Sequence, residues 1–118
     1  MAGTIVADTL THSTAGSIAT NYVVDGSAKA YGFYDFVGGT PTNRKSLNVS
    51  SLSDISAGRT TVSFTNSMDS AYYSTASISG DDNYVFKRSE IAGSFELASF
   101  NGSYRDSDMG HTTHGDLA

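Results

Sequence analysis

A chain of 118 residues with a net charge of −5 and only seven Lys and Arg has the size of one domain and no basic footprint for a phosphate backbone, so nucleic-acid binding is not expected. The absence of cysteine excludes a disulfide framework and a thiolate metal site. No stretch approaches the roughly 18 apolar residues of a membrane span, and the first residues lack the basic start and apolar run of a Sec-type signal, so membrane insertion is not expected.

Met1 to Thr14 is polar, with Ile5, Val6 and Leu10 at irregular spacing. It reads as a flexible terminus or as an arm that clasps a neighbouring subunit or docks on a larger assembly, with residues 15–118 forming the domain proper. Ile18 to Val24 has the β-branched content of a first strand, and Asp25-Gly26 reads as a turn. Lys29 to Val37 is the most aromatic segment. Tyr31, Phe33, Asp35 and Val37 alternate with Ala30, Gly32, Tyr34 and Phe36. Both faces are partly apolar, which predicts a central strand or one at a subunit contact. Gly38 to Asn43 carries Gly, Pro and Asn and reads as a loop, with Pro41 at a sheet edge or outside the sheet.

Ser46 to Asn66 holds the clearest pattern. Leu47 and Val49 alternate with polar neighbours, Ser56-Ala57-Gly58 supplies a turn, and Thr60, Val62 and Phe64 share one face. That is a half-buried hairpin with Leu47, Val49, Val62 and Phe64 in the core. Further strands are expected over Ala71 to Gly80, Tyr84 to Arg88 and Ser94 to Phe100, with Asn101-Gly102 as a hairpin-type turn and a last strand within Met109 to Ala118. About seven or eight short strands broken by Gly, Asn and Asp predict an all-β fold, a single antiparallel β-sandwich or jelly-roll-like domain. Leu, Ile, Val and Phe make up just under a fifth of the chain, while seven Tyr and six Phe supply large apolar surfaces. Such a thin aliphatic core with many aromatics fits a domain that also buries surface against copies of itself.

No catalytic constellation emerges. G-x-S-x-G does not occur, and Glu90 and Glu96 are the only glutamates, one placed in a loop and one on a strand, so no enzyme is expected. His111 and His114 form H-x-x-H, but on a strand those positions point to opposite faces, so they read as solvent or interface histidines. Asp81, Asp82, Asp106 and Asp108 lack the spacing of a calcium loop and read as turn residues. No metal or cofactor is expected. Arg44, Lys45, Lys87, Arg88 and Arg105 are scattered and read as solvated. Tyr72, Tyr73, Tyr84 and Tyr104 lie near turns and are the candidates for surface contact by stacking, against the alternative of core or subunit packing.

Three segments, SAKAYGFYDFVG at 27–38, SLNVSSLSD at 46–54 and TTVSFTNSMDSAYYS at 60–74, resemble tail-fibre-like virion structural domains of marine and cyanobacterial bacteriophages. The closing HGDLA is similar to the family's terminus, and the resemblance spans about Ser13 to Ala118. Tyr31 stands where that family usually has Trp, and Ile55 to Gly58 where it tends to carry Asn, Gly and Thr. The chain also starts at its own Met1, whereas the family domain often caps a longer fibre protein. The resemblance implies a non-enzymatic virion protein, all-β and homotrimeric. Its partners would be copies of itself, other virion proteins and a host-surface glycan or protein. A tail-fibre or fibre-tip unit is the first expectation; a capsid decoration protein or short head fibre, and then a glycan-modifying enzyme, are the alternatives.

Overall fold

The computed structural model describes residues 3–118; Met1 and Ala2 of the expected arm lie outside the described residues. The chain begins with β1 (Thr9–His12), β2 (Gly16–Ala19) and α1 (Thr20–Gly26). There follow β3 (Ala30–Val37), β4 (Thr40–Leu47), β5 (Val49–Ser56), β6 (Arg59–Phe64), β7 (Ser74–Ser79), β8 (Tyr84–Ile91), β9 (Ser94–Phe100) and β10 (Met109–His114). Strands β3 to β10 form two four-stranded antiparallel sheets, in the orders β4-β3-β10-β7 and β5-β6-β9-β8, that pack as a sandwich. The fold is all-β, as the alternation of the sequence predicts.

Local chemistry explains the hairpins. Val37 pairs with Thr40, leaving Gly38-Gly39 as a two-residue loop with φ of 62° and 81°. Two consecutive positive φ values match the right-handed twist of the flanking strands and suit glycine, which has no Cβ to clash. That tight turn confines the expected loop over Gly38 to Asn43 to Gly38-Gly39, and Thr40 to Asn43 are strand. Pro41 sits in β4, an edge strand, where a missing N–H is tolerated. The hairpin β5–β6 forms as expected, with Ser56 opposite Arg59.

Leu47 is a correction. It ends β4 and remains 48 % exposed, because Asn48, at φ 57°, turns the chain from one sheet into the other. The apparent alternation across Leu47 and Val49 therefore spans two strands of different sheets. Within β5 a bulge between Val49 and Ser51 shifts the register, and Val49 and Leu52 pack against the core. Ser89 to Gly93 is not all loop either: β8 runs on to Ile91 through an irregularity at Ser89, whose φ is 48°. Asn101-Gly102 turns the chain, but only an isolated bridge between Phe100 and Tyr104 follows it, and the chain then crosses to β10 in the opposite sheet.

The core lies between the sheets. Phe64, Tyr73 and Phe95 form an aromatic cluster with ring centroids 5.6 to 6.3 Å apart, flanked by Tyr34, Val62, Met68, Leu97 and Met109. Aromatics thus supply much of the buried apolar area that the few aliphatic residues cannot. The C-terminal strand β10 is inserted between β3 and β7, so the first sheet closes only when residues far apart in sequence meet.

The N-terminal unit lies outside both sheets. Ile18 to Val24 is not one strand: β2 ends at Ala19, where its partner β1 begins at Thr9. Thr20 N–H still bonds the Asp8 carbonyl at 2.9 Å, and from there the chain coils into the helix α1. Asp25-Gly26 is the end of that helix rather than a turn between strands. The expected boundary after Thr14 falls inside the β1–β2 turn, and the sandwich proper begins at Ala30. The radius of gyration is 16.8 Å and the extents are 50 × 29 × 27 Å. A compact domain of this length would have a radius near ~13.5 Å, so the molecule is elongated.

Candidate functional site

The residues singled out from the sequence fall into different surroundings. From Gly3 to Ser27 no side chain is buried, and Ile5 and Val6 are 90 % and 92 % exposed. Leu10, on β1, lines a shallow cleft with Ile5, Val6, Val23 and Val24 without filling it. Of the four tyrosines, Tyr72 is 97 % exposed and Tyr84 is also at the surface, while Tyr73 is 5 % exposed. Tyr73 is therefore a core residue and not a contact residue. Its hydroxyl donates toward the carbonyl oxygens of Ser94 and Ile91, at 2.9 and 3.1 Å, and Lys87 Nζ stands 4.6 Å from the centre of its ring. Burial raises the Tyr73 phenol well above its ordinary pKa. The two tyrosines lie in the irregular segment just before β7, which turns Tyr72 to solvent and Tyr73 into the core.

Tyr104 belongs to a polar cluster on the outer face of the second sheet. Glu96 projects outward from β9 yet is 4 % exposed. Arg59 covers it with a two-pronged contact, Nε to Oε1 at 2.6 Å and Nη2 to Oε2 at 3.1 Å. Arg88 lies 3.8 Å from the same carboxylate and donates to the Tyr104 hydroxyl at 2.6 Å. Both guanidinium groups stand within 6 Å of the Tyr104 ring centre, at 5.6 and 5.8 Å. The hydrogen bond to Glu96 raises the Arg59 pKa further above its already high value. Arg88 and Lys87 are thus engaged by neighbours, and Arg44, expected to be solvated, is half exposed and paired with Asp35. Asp106 also departs from a simple turn role, since its Oδ1 accepts from the backbone N–H of Gly58 at 2.6 Å. The cluster holds the Glu96 carboxylate in a two-pronged ion pair against the face of the sheet.

His111 is the largest departure. It is buried, not solvent-facing, on the central strand β10. Its Nε2 is 2.8 Å from the Tyr34 hydroxyl and its Nδ1 is 3.1 Å from Thr113 Oγ1. When Tyr34 donates to Nε2, the Nδ1–H donates to Thr113. The Phe95 ring meets the imidazole edge-on at 4.9 Å. Both ring nitrogens are satisfied by neutral partners in an apolar setting, and desolvation lowers the pKa of His111 to about 4. Among the described residues no group of three His, Cys, Asp or Glu is placed to hold a metal ion.

The outer face of the first sheet carries a surface that sequence reasoning marked only in part. Lys45, Phe33, Gly110 and Ile78 stand in register across β4, β3, β10 and β7. Leu47, Tyr31, Thr112 and Ala76 form the next row. Phe33, Tyr31, Leu47 and Ile78 are exposed, and Phe33, Tyr31 and Ile78 line an apolar groove of about 320 Å³. The mixed faces of Lys29 to Val37 pointed to Tyr31 and Phe33. Ile78 and Gly110 had no signal, because their place beside Phe33 depends on the sheet order. Comparison with protein-family models, with curated proteins and with solved structures yields no match.

Proposed function

We propose that this chain is a non-enzymatic structural unit of a bacteriophage virion, a tail-fibre or fibre-tip protein that acts as a homotrimer in contact with the host surface. The observation that carries this reading is the N-terminal unit. It presents Ile5, Val6, Tyr22 and Val24 at the surface and buries none of them, while the sandwich beside it has a complete core. Contiguous exposed apolar side chains of this kind mark an interaction surface, and a segment held out from the body suits attachment to a neighbour. The virion setting rests on the sequence resemblance over 27–38, 46–54 and 60–74. The sandwich would serve as the stiff body, with Tyr72 and Tyr84 among the side chains it exposes for contact. Three copies would multiply weak contacts, since linked sites can gain about 10²–10⁴ in avidity without any new interaction.

Antibody labelling of phage particles, viewed by electron microscopy, tests the assignment. Label at the tail fibres is expected. Label confined to the capsid shell, or absent from particles, overturns it.

A further inference from the structure

Two apolar surfaces of this chain are left open, and they match. The first is the extended segment preceding β1, with Ile5 and Val6 almost wholly exposed. The second is the groove on the outer face of the first sheet. Gly110 lies in its floor, with Ile78 leaning over it so that Cγ1 is 3.0 Å from where a Cβ would stand, and Phe33, Tyr31 and Ile78 line the groove. An apolar groove of about 320 Å³ walled by aromatic and branched aliphatic side chains has room for a protruding aliphatic side chain. The chain does not fill this groove with its own arm, since Ile5 and Val6 stay exposed.

The charges agree with that pairing. Residues 3–27 contain Asp8 and Asp25 and no Lys or Arg. Lys45 is the charged residue in the groove wall, and it makes no ion pair among the described residues. An acidic aliphatic segment and an apolar groove with one unpaired cation at its rim are complementary in both polarity and sign.

The geometry points to a head-to-tail contact in which the Ile5–Val6 segment of one copy occupies the Phe33–Gly110–Ile78 groove of the next. This rests on the reading that the chain self-associates, and it names the surfaces. Arm and groove are different patches, so the contact is heterologous. Repeated around an axis it closes into a ring, of which a trimer is one, and left open it builds a filament.

The test uses the full chain and exploits its lack of cysteine. Val6→Cys and Ile78→Cys are made as separate variants, mixed, and mildly oxidised. Both positions are exposed, so both variants are expected to fold. Disulfide-linked heterodimers between the two variants are the expected product. Val6→Asp and Phe33→Asp are each expected to weaken self-association at least about tenfold, because each places a charge in an apolar contact. An equimolar mixture of the two is expected to recover a one-to-one dimer, since one intact arm still meets one intact groove. Self-association that persists in either Asp variant, or a mixed oxidation without heterodimers, overturns the arm-in-groove contact while leaving the proposed function standing. Wild-type chain that stays monomeric overturns both.

Discussion

Acidification should act on this fold through His111. The imidazole is buried between Tyr34, Thr113 and Phe95, and its pKa is lowered from 6.5 to about 4 by desolvation. The unfolded chain therefore binds a proton near pH 6.5, which the folded chain resists until about pH 4. Stability from this source is complete above the unfolded value and is lost as pH falls through that window. With 1.36 kcal/mol per pH unit, the loss amounts to about 2 kcal/mol at pH 5 and about 3 kcal/mol at pH 4. A typical domain has only ~5–15 kcal/mol in total, so this is a large share. Urea unfolding followed by circular dichroism at pH 7, 5 and 4, at one fixed protein concentration, measures it. His111→Gln is the control, because the amide retains polar atoms but does not titrate. Carboxylates contribute equally to both proteins, so the difference between their pH slopes isolates the histidine. Wild type should lose about 2 kcal/mol more than the variant between pH 7 and 5. Equal losses in the two proteins would refute the assignment of a buried, neutral His111.

Further outcomes separate neighbouring residues that look alike in the sequence. Tyr73→Ala should cost about 3–5 kcal/mol in a denaturation curve, and Tyr72→Ala less than about 0.5, because only Tyr73 is in the core. Gly32→Ala should destabilise by about 1–3 kcal/mol or more, since the new Cβ would stand 2.0 Å from the Tyr34 hydroxyl that holds His111. A loss from Gly32→Ala no larger than that from an exposed alanine substitution would contradict the packing. Arg59→Ala should lower the thermal midpoint more than Arg44→Ala, because it leaves the buried Glu96 with only Arg88, at 3.8 Å, whereas Asp35 keeps partial access to water. Ile5→Asp should leave the unfolding midpoint of the isolated chain unchanged, as the side chain is in water already, and should act on association alone.

The sandwich was legible wherever a residue's role depends on its near neighbours. Thr60, Val62 and Phe64 alternate cleanly, and all three are buried on β6. The two faces of β3 separate as the Lys29 to Val37 pattern implies. Legibility failed where the chain changes sheet or loses its partner. Leu47 and Val49 continue one alternation across Asn48, whose positive φ breaks the strand, and nothing in the residue types announces it. Val23-Val24 favours a strand by propensity, yet it lies past the end of the β1–β2 ladder, and the segment coils. His111 shows the same limit. A polar residue near a C-terminus reads as exposed until the topology inserts β10 between β3 and β7 and carries it into the core. Ile5, Val6 and Leu10 stand out in the sequence as unpatterned apolar residues in a polar stretch, and all three are exposed in the fold. The groove needs Phe33 on β3, Gly110 on β10 and Ile78 on β7 to meet, and that placement exists only in the folded sheet.

Sedimentation equilibrium of the purified full chain at micromolar concentration bears most directly on the central reading, that this is a self-assembling structural unit. A species of three times the chain mass is the expected result. A monomer across that concentration range contradicts it.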